Sequence, residues 1–385
     1  MKTAALLLIL VLAVSTCLSA IYAYNVLIAP SQASTDELYF GVTCGFNTTR
    51  ESEQLIDKVK NYTNLFIIDS WDVAQNETML NEICDYAANA GLRFIVYFDL
   101  ISGTSPPYPA TYPWHQEWLT SAKTRWEGKF LGIYLHDELG GKQLDEQRYV
   151  HNASGYNDAA TQFVSNIASY GSVQFAKNNS IPLFTSDYAL YWWDYLGGYD
   201  TMFIELGWNI STPQQIAFGR GAADVQDKDW GAMITWKYDA PPYLGNATEI
   251  YEDMLAAYKA GTKYIVIFDD RDFPEGNPYG SLTEEHFDAM KTFYMYVKTH
   301  PRSVYGETKG TVALVLPANY GWGARWPDEG LWGLWPADEK TPLIWENMNK
   351  LRDDYGLSLD IVFDDSRFNV RGRYTTLYFW NDTIA

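Results

Sequence analysis

The chain has 385 residues, 47% of them hydrophobic and 16% aromatic, so it can bury a large core and still leave rings for its surface. Its formal net charge of -20 makes contact with phosphate backbones unfavourable over most of that surface, which excludes nucleic acid as an expected partner.

Residues 1–29 carry a single charge, Lys2, ahead of a long apolar run. The run is long enough to span a hydrocarbon layer of roughly 30 Å, while Leu18, Ser19 and Ala20 resemble a cleavage site. It reads as a signal peptide or a signal anchor, and both remain open. The expected location is extracellular or on the outer face of the cell membrane, with membrane contact only through this segment. Eight N-x-S/T sequons, at Asn47, Asn61, Asn76, Asn152, Asn178, Asn209, Asn246 and Asn381, independently suggest an exported glycoprotein. Chance placement gives roughly two or three. Cys44 and Cys84, the two cysteines beyond the leader, leave open one disulfide or two buried thiols.

From residue 38 onward, short apolar runs alternate with longer amphipathic segments, the pattern of repeated βα units around a parallel sheet. Strands are predicted over 38–44, 64–70, 93–99, 130–136, 181–186, 201–205, 231–236 and 263–268. The clearest helices fall over 51–61, 77–90, 159–177, 248–260 and 283–299. Eight such units within 36–299 predict an α/β fold of the (β/α)8 TIM-barrel type. Strands over 311–316, 359–363 and 376–380, with a helix over 342–355, predict a small C-terminal α/β accessory domain over 303–385. Between its first strand and its helix lies a loop with Tyr320, Trp322, Trp326, Trp332 and Trp335. Such a loop either walls the barrel mouth or joins the two parts.

The site of such a barrel lies at the strand C-termini. There the sequence delivers Asp69, Asp99, Glu138, Asp187, Glu205 and Asp269, together with His136 and Asp137. Strand alternation puts Gly132, Tyr134, His136 and Glu138 on one face of the fourth strand, and Leu131, Ile133, Leu135 and Asp137 on the other. On that parity Glu138 points inward and Asp137 supports it. In the sixth strand Thr201, Phe203 and Glu205 face inward, opposite Met202, Ile204 and Leu206. Glu138 and Glu205 therefore form the predicted catalytic pair, because cleaving a glycosidic bond needs one protonated and one ionised carboxyl. Mutual repulsion and burial among the acids raise some of their pKa values.

The loops after the strands add Trp192, Trp193, Trp208, Trp236 and Tyr238, rings on which the flat apolar faces of sugars stack. With Asp69, Asp99, His136, Asp137, Asp187 and Asp269 they are the predicted substrate-binding residues. At least one ring of Tyr191, Trp192 and Trp193 is expected to be exposed at the mouth. No metal ligands and no cofactor are expected, since the histidines lack zinc-like spacing. A glycan on Asn209, four residues after Glu205, would crowd the mouth.

On these strand-end acids the chain resembles the (β/α)8 glycoside hydrolases. In their largest group an asparagine precedes the strand-four acid and the nucleophile ends strand seven. Here Asp137 precedes Glu138, and Trp236, Lys237, Tyr238 and Asp239 end strand seven without a glutamate. A strand-four and strand-six pair is more similar to the barrels related to endo-polygalactosaminidases. The resemblance implies an exported glycoside hydrolase acting on an oligo- or polysaccharide. The competing expectation is a non-catalytic carbohydrate-binding or cell-envelope protein on the same scaffold.

Overall fold

The computed structural model describes residues 38–98, 114–269 and 277–384. The apolar N-terminal segment and Asp99 lie outside them. Eight strands close into a barrel: β1 (Tyr39–Cys44), β2 (Leu65–Ile68), β3 (Arg93–Tyr97), β4 (Phe130–Asp137), β5 (Leu183–Asp187), β6 (Thr201–Leu206), β7 (Asp229–Ile234) and β8 (Tyr264–Ile267). Each pairs in parallel with its sequence neighbours, and β8 closes on β1. The predicted (β/α)8 barrel is thus the observed fold.

Alternation along the strands produces two apolar layers. Leu65, Ile67, Ile95, Tyr134, Phe184, Phe203, Met233, Tyr264 and Val266 fill the lumen. The alternate residues, among them Phe66, Ile68, Ile133, Leu135, Met202 and Ile204, pack outward under the helices. Those helices include α1 (Thr49–Val59), α2 (Glu77–Asn89), α3 (Trp114–Arg125), α4 (Leu139–Glu146), α5 (Tyr156–Ser169), α6 (Gly171–Asn178), α7 (Tyr191–Gly197), α8 (Thr212–Val225), α9 (Ala247–Lys259) and α10 (Glu284–Thr299). The single helix expected over 159–177 is broken between α5 and α6, where Tyr170 adopts an extended backbone at φ -61 and ψ 130.

A second, three-stranded parallel sheet follows, in the order β10 (Leu359–Phe363), β9 (Val312–Leu316), β11 (Thr376–Phe379). Helix α11 (Thr341–Tyr355) connects β9 to β10. Helix α8 lies between this sheet and the barrel. Two of its glycines make the fit possible. A Cβ on Gly219 would stand 2.1 Å from Ile204 Cδ1 of β6, and one on Gly221 would stand 2.7 Å from Ile361 O of β10.

The aromatic loop joins the C-terminal segment to the barrel. Tyr320, Trp322 and Trp332 are buried, Trp335 is half-buried, and Trp326 alone among the five remains exposed. The loop is tied to α4, on the mouth side of the barrel, where Gln143 Nε2 donates to Trp332 O at 2.8 Å and Gln147 Nε2 to Gly333 O at 2.7 Å. Cys44 and Cys84 are both buried free thiols. Burial pushes the Cys44 thiol up to about 12 and that of Cys84 well above its ordinary value, so neither is a reactive thiolate.

Candidate active site

The end of β4 departs from simple alternation. Its pairing with β5 shifts between Tyr134 and Asp137, and His136 takes a left-handed backbone at φ 55. Leu135 and His136 consequently both turn outward. His136 Nδ1 lies 2.6 Å from the Tyr199 hydroxyl, and its ring packs on Tyr170 at 4.7 Å, within the helix layer. Burial lowers its pKa to about 4, so it is neutral. His136 is therefore not at the mouth, contrary to the parity expectation, because a bulge adds a residue to the strand.

The same bulge turns Asp137 inward, which corrects the expectation that Glu138 alone would point there. Asp137 Oδ1 accepts from the Tyr134 hydroxyl at 2.9 Å and from Ser186 Oγ at 2.9 Å. Ser186 Oγ in turn lies 2.7 Å from Glu205 Oε1 and 2.8 Å from the Tyr134 hydroxyl. Trp208 Nε1 donates to Glu205 Oε2 at 3.0 Å. Glu138 follows at a second left-handed position, φ 55, and Lys142 one turn along bridges it at 3.3 Å and Asp137 at 3.2 Å. Tyr134, Ser186 and Lys142 are members that the sequence reading missed. Parity identifies the first two, since both share the lumen face with Phe184 and Phe203.

Tyr134 and Ser186 each bring one hydroxyl hydrogen. Ser186 can give its one hydrogen to Glu205 Oε1 or to Asp137 Oδ1, and so links the two carboxyls. Burial, then the charges of Glu138 and Asp137, hold the Glu205 carboxyl well above the ordinary range, against the opposing pull of Trp208 and Ser186. Glu205 is 3% exposed. Glu138, whose side chain is 20% exposed, is pushed up to about 7 by partial burial and then by Asp137, with Lys142 pulling the other way.

Asp187 is not at the mouth surface but behind it. Helix α4 has no side-chain cap of its own at Glu138. Asp187 supplies the cap from β5: its carboxyl accepts from the amides of Gly140 at 2.5 Å, Gly141 at 2.9 Å, Tyr188 at 2.8 Å and Ala189 at 3.1 Å. Only glycine fits at 140 and 141, where a Cβ would stand 2.5 Å from Ala189 O and 2.0 Å from the Tyr188 ring. Asp194 is wholly buried beside Asp187 and meets no N–H or O–H donor. Burial and the neighbouring Asp187 carboxyl hold its pKa far above the ordinary range. Asp187→Ala should strand these buried amides and cost about 3 kcal/mol or more. A shift of the urea midpoint measures it, and an unchanged midpoint would show the cap to be dispensable.

The remaining predicted residues divide. Trp208 and Trp236 sit at the mouth, half-buried, with ring centroids 6.3 Å apart. Tyr238 is exposed beside them in sequence. Asp69, half-buried, lies close enough for its charge to act on Tyr134. Asp269 is buried, with Oδ1 accepting from the Ser281 amide at 2.8 Å and hydroxyl at 3.0 Å. Trp192 and Trp193 are not mouth residues. With Tyr191 they are 5% exposed or less, and they pack against the C-terminal sheet, each within 5.5 Å of the Phe363 ring. The expected exposed ring of this triplet is absent because α7 is covered by a segment far along the chain.

A mouth of this kind on a closed eightfold parallel barrel defines a (β/α)8-barrel protein. No protein-family model matches the chain, and no curated protein matches it in sequence. Among solved structures, a GH5 glycoside hydrolase variant from Bifidobacterium longum subsp. longum, in complex with Manβ1-4GlcNAc, aligns with a TM-score of 0.54. The identity is 12%, over 91% of this chain and 97% of that one. Two other barrels align more loosely. A 3-hexulose-6-phosphate synthase has a TM-score of 0.35 and 12% identity over 66% of this chain and 99% of its own. A truncated 3-deoxy-D-arabino-heptulosonate 7-phosphate synthase from Thermotoga maritima has 0.39 and 8% over 71% and 90%. At such identities the likeness is one of fold.

Proposed function

We propose that the protein is an exported glycoside hydrolase that cleaves oligo- or polysaccharide at the C-terminal mouth of its barrel. The observation that carries this reading is the convergence of Glu205, Asp137 and Glu138 on one mouth, where Ser186 lies within hydrogen-bond reach of Glu205 and Asp137 and Lys142 bridges Asp137 and Glu138. Acid–base cleavage needs one protonated and one ionised carboxyl; burial raises the pKa of both Glu205 and Glu138, and Glu138, pushed up to about 7, is the one able to ionise near neutral pH. Glu205 donates the proton to the leaving oxygen. Glu138 is the ionised partner that attacks or activates water, with Lys142 favouring its charged form. Ser186, itself held by Asp137, positions Glu205, and Trp208, Trp236, Tyr238 and Asp69 receive the sugar.

Export is supported by the apolar leader and by the exposure of seven of the eight sequon asparagines, with Asn47 half-buried. The location we propose is extracellular or on the outer membrane face, with the chain glycosylated. A non-catalytic carbohydrate-binding protein is the second reading. It is favoured by the deep burial of Glu205, whose two side-chain oxygens are both engaged within the protein.

Assay of the secreted protein on a panel of polysaccharides and aryl glycosides separates the two. Hydrolysis of at least one substrate is expected, with activity rising as pH increases through about 7, where Glu138 ionises, and falling when Glu205 loses its proton. Binding without any release of reducing ends would instead establish the second reading.

A further inference from the structure

The mouth aromatics do not end at Trp208. The Tyr188 ring lies 6.3 Å from Trp208, and the Arg325 guanidinium lies 5.3 Å from the Tyr188 ring and 4.5 Å from the Trp326 ring. A continuous line of contacts therefore runs from Glu205 through Trp208, Tyr188 and Arg325 to Trp326, which belongs to the C-terminal loop. Trp326 is 46% exposed, although Tyr320, Trp322 and Trp332 of the same loop are fully buried.

Its mounting is rigid. Arg325 bonds Asp145 of α4 through two nitrogens, at 2.6 and 2.9 Å, and Glu329 at 2.5 Å; its side chain is only 8% exposed. Tyr188 donates to the same Asp145 at 2.7 Å. A guanidinium neutralised by two carboxylates has no charge left for an anionic ligand. What it does is brace one face of the Trp326 indole by cation–π contact, leaving the ring ordered before anything binds. An ordered, exposed indole beside a neutralised cation suits the apolar face of an uncharged pyranose ring.

Resting on the hydrolase reading above, we propose that Trp326 is an accessory sugar subsite, contributed by the C-terminal segment, which binds a ring of a neutral polysaccharide beyond the one at Trp208. The substrate is then a chain long enough to reach from Glu205 across Tyr188 to Trp326, and Trp326 selects for chain length.

Affinity electrophoresis tests this on the full chain with Glu205→Gln, so that no probe is cut, in gels containing galactomannan, xyloglucan, laminarin or hydroxyethylcellulose. Retardation is expected in at least one gel. Adding Trp326→Ala should raise the apparent dissociation constant there about tenfold, the size of one lost ring contact, and Trp326→Phe should restore much of it. The ring is exposed, so the melting temperature should stay put. Retardation unchanged by Trp326→Ala overturns the proposal, and so does a complete lack of retardation in all four gels. Retardation that depends on Trp326, in a protein whose wild type releases no reducing ends on the whole polysaccharide and aryl-glycoside panel, would keep the subsite and remove the hydrolase reading.

Discussion

Glu205→Gln is expected to lower turnover about a thousandfold, within the range for loss of a general acid, while the fold survives. Glutamine reproduces the hydrogen-bond pattern of the protonated acid. Its oxygen accepts from Trp208 Nε1 and its amide donates to Ser186 Oγ, which continues to donate to Asp137. The stability effect has the opposite sign to the activity effect. Burial and the charges of Glu138 and Asp137 raise the folded-state pKa of Glu205 above its ordinary 4.5. The contribution of such a group is fully present below that ordinary value and is lost as pH rises through the folded one. The variant should therefore match the wild type in melting temperature at pH 4 and exceed it at pH 8. Turnover on the best substrate of the panel, with thermal melts at the two pH values, checks both. Turnover within tenfold of wild type would remove Glu205 from the chemistry. A melting temperature equal to wild type at pH 8 would mean that its carboxyl is not held protonated by burial.

Glu205 was legible because β6 is regular. Phe203 and Glu205 share the lumen face as alternation requires, and the same rule recovers Tyr134 and Ser186. The rule failed at His136, where a non-glycine residue takes a left-handed backbone. Nothing in FLGIYLHDELGG shows that the count must slip there, since the slip is fixed by pairing with β5, fifty residues away. The consequence is that two consecutive acids reach one site, where parity allows one. Trp192 and Trp193 failed for a different reason. Their local sequence is that of a ring-rich mouth loop, but β10 and the loop after β9 cover them, a contact across more than 120 residues. Asp187 looks like a ligand-binding acid because strand-end acids look alike in sequence. Its role as a helix cap depends on Gly140 and Gly141 being brought to it.

The largest effect on stability is expected at Arg220, the one charged residue of α8 buried between barrel and sheet. Its Nε donates to Asp360 Oδ1 at 2.8 Å, and its other nitrogens donate to Thr308 O at 2.9 Å, Leu357 O at 2.6 Å and Leu359 O at 3.1 Å. Both partners are at most 2% exposed. Attraction between buried charges roughly offsets the loss of hydration, so the pair itself adds little. Removing one partner leaves an uncompensated charge, at a cost of about 3–5 kcal/mol. Arg220→Met should therefore lower the urea unfolding free energy by that amount. Asp360 makes the loss pH-dependent: burial already pushes its pKa up to about 6 against the pull of Arg220, and without the arginine it must rise further. A raised carboxyl loses its contribution as pH increases through the folded value, so the deficit should be larger at pH 8 than at pH 5. Adding Asp360→Asn to Arg220→Met removes the stranded charge and should recover a substantial part of the loss at pH 8, giving a large coupling in a double-mutant cycle. Equal losses at both pH values, with no recovery in the double variant, would show that Arg220 stabilises α8 through its carbonyl contacts alone.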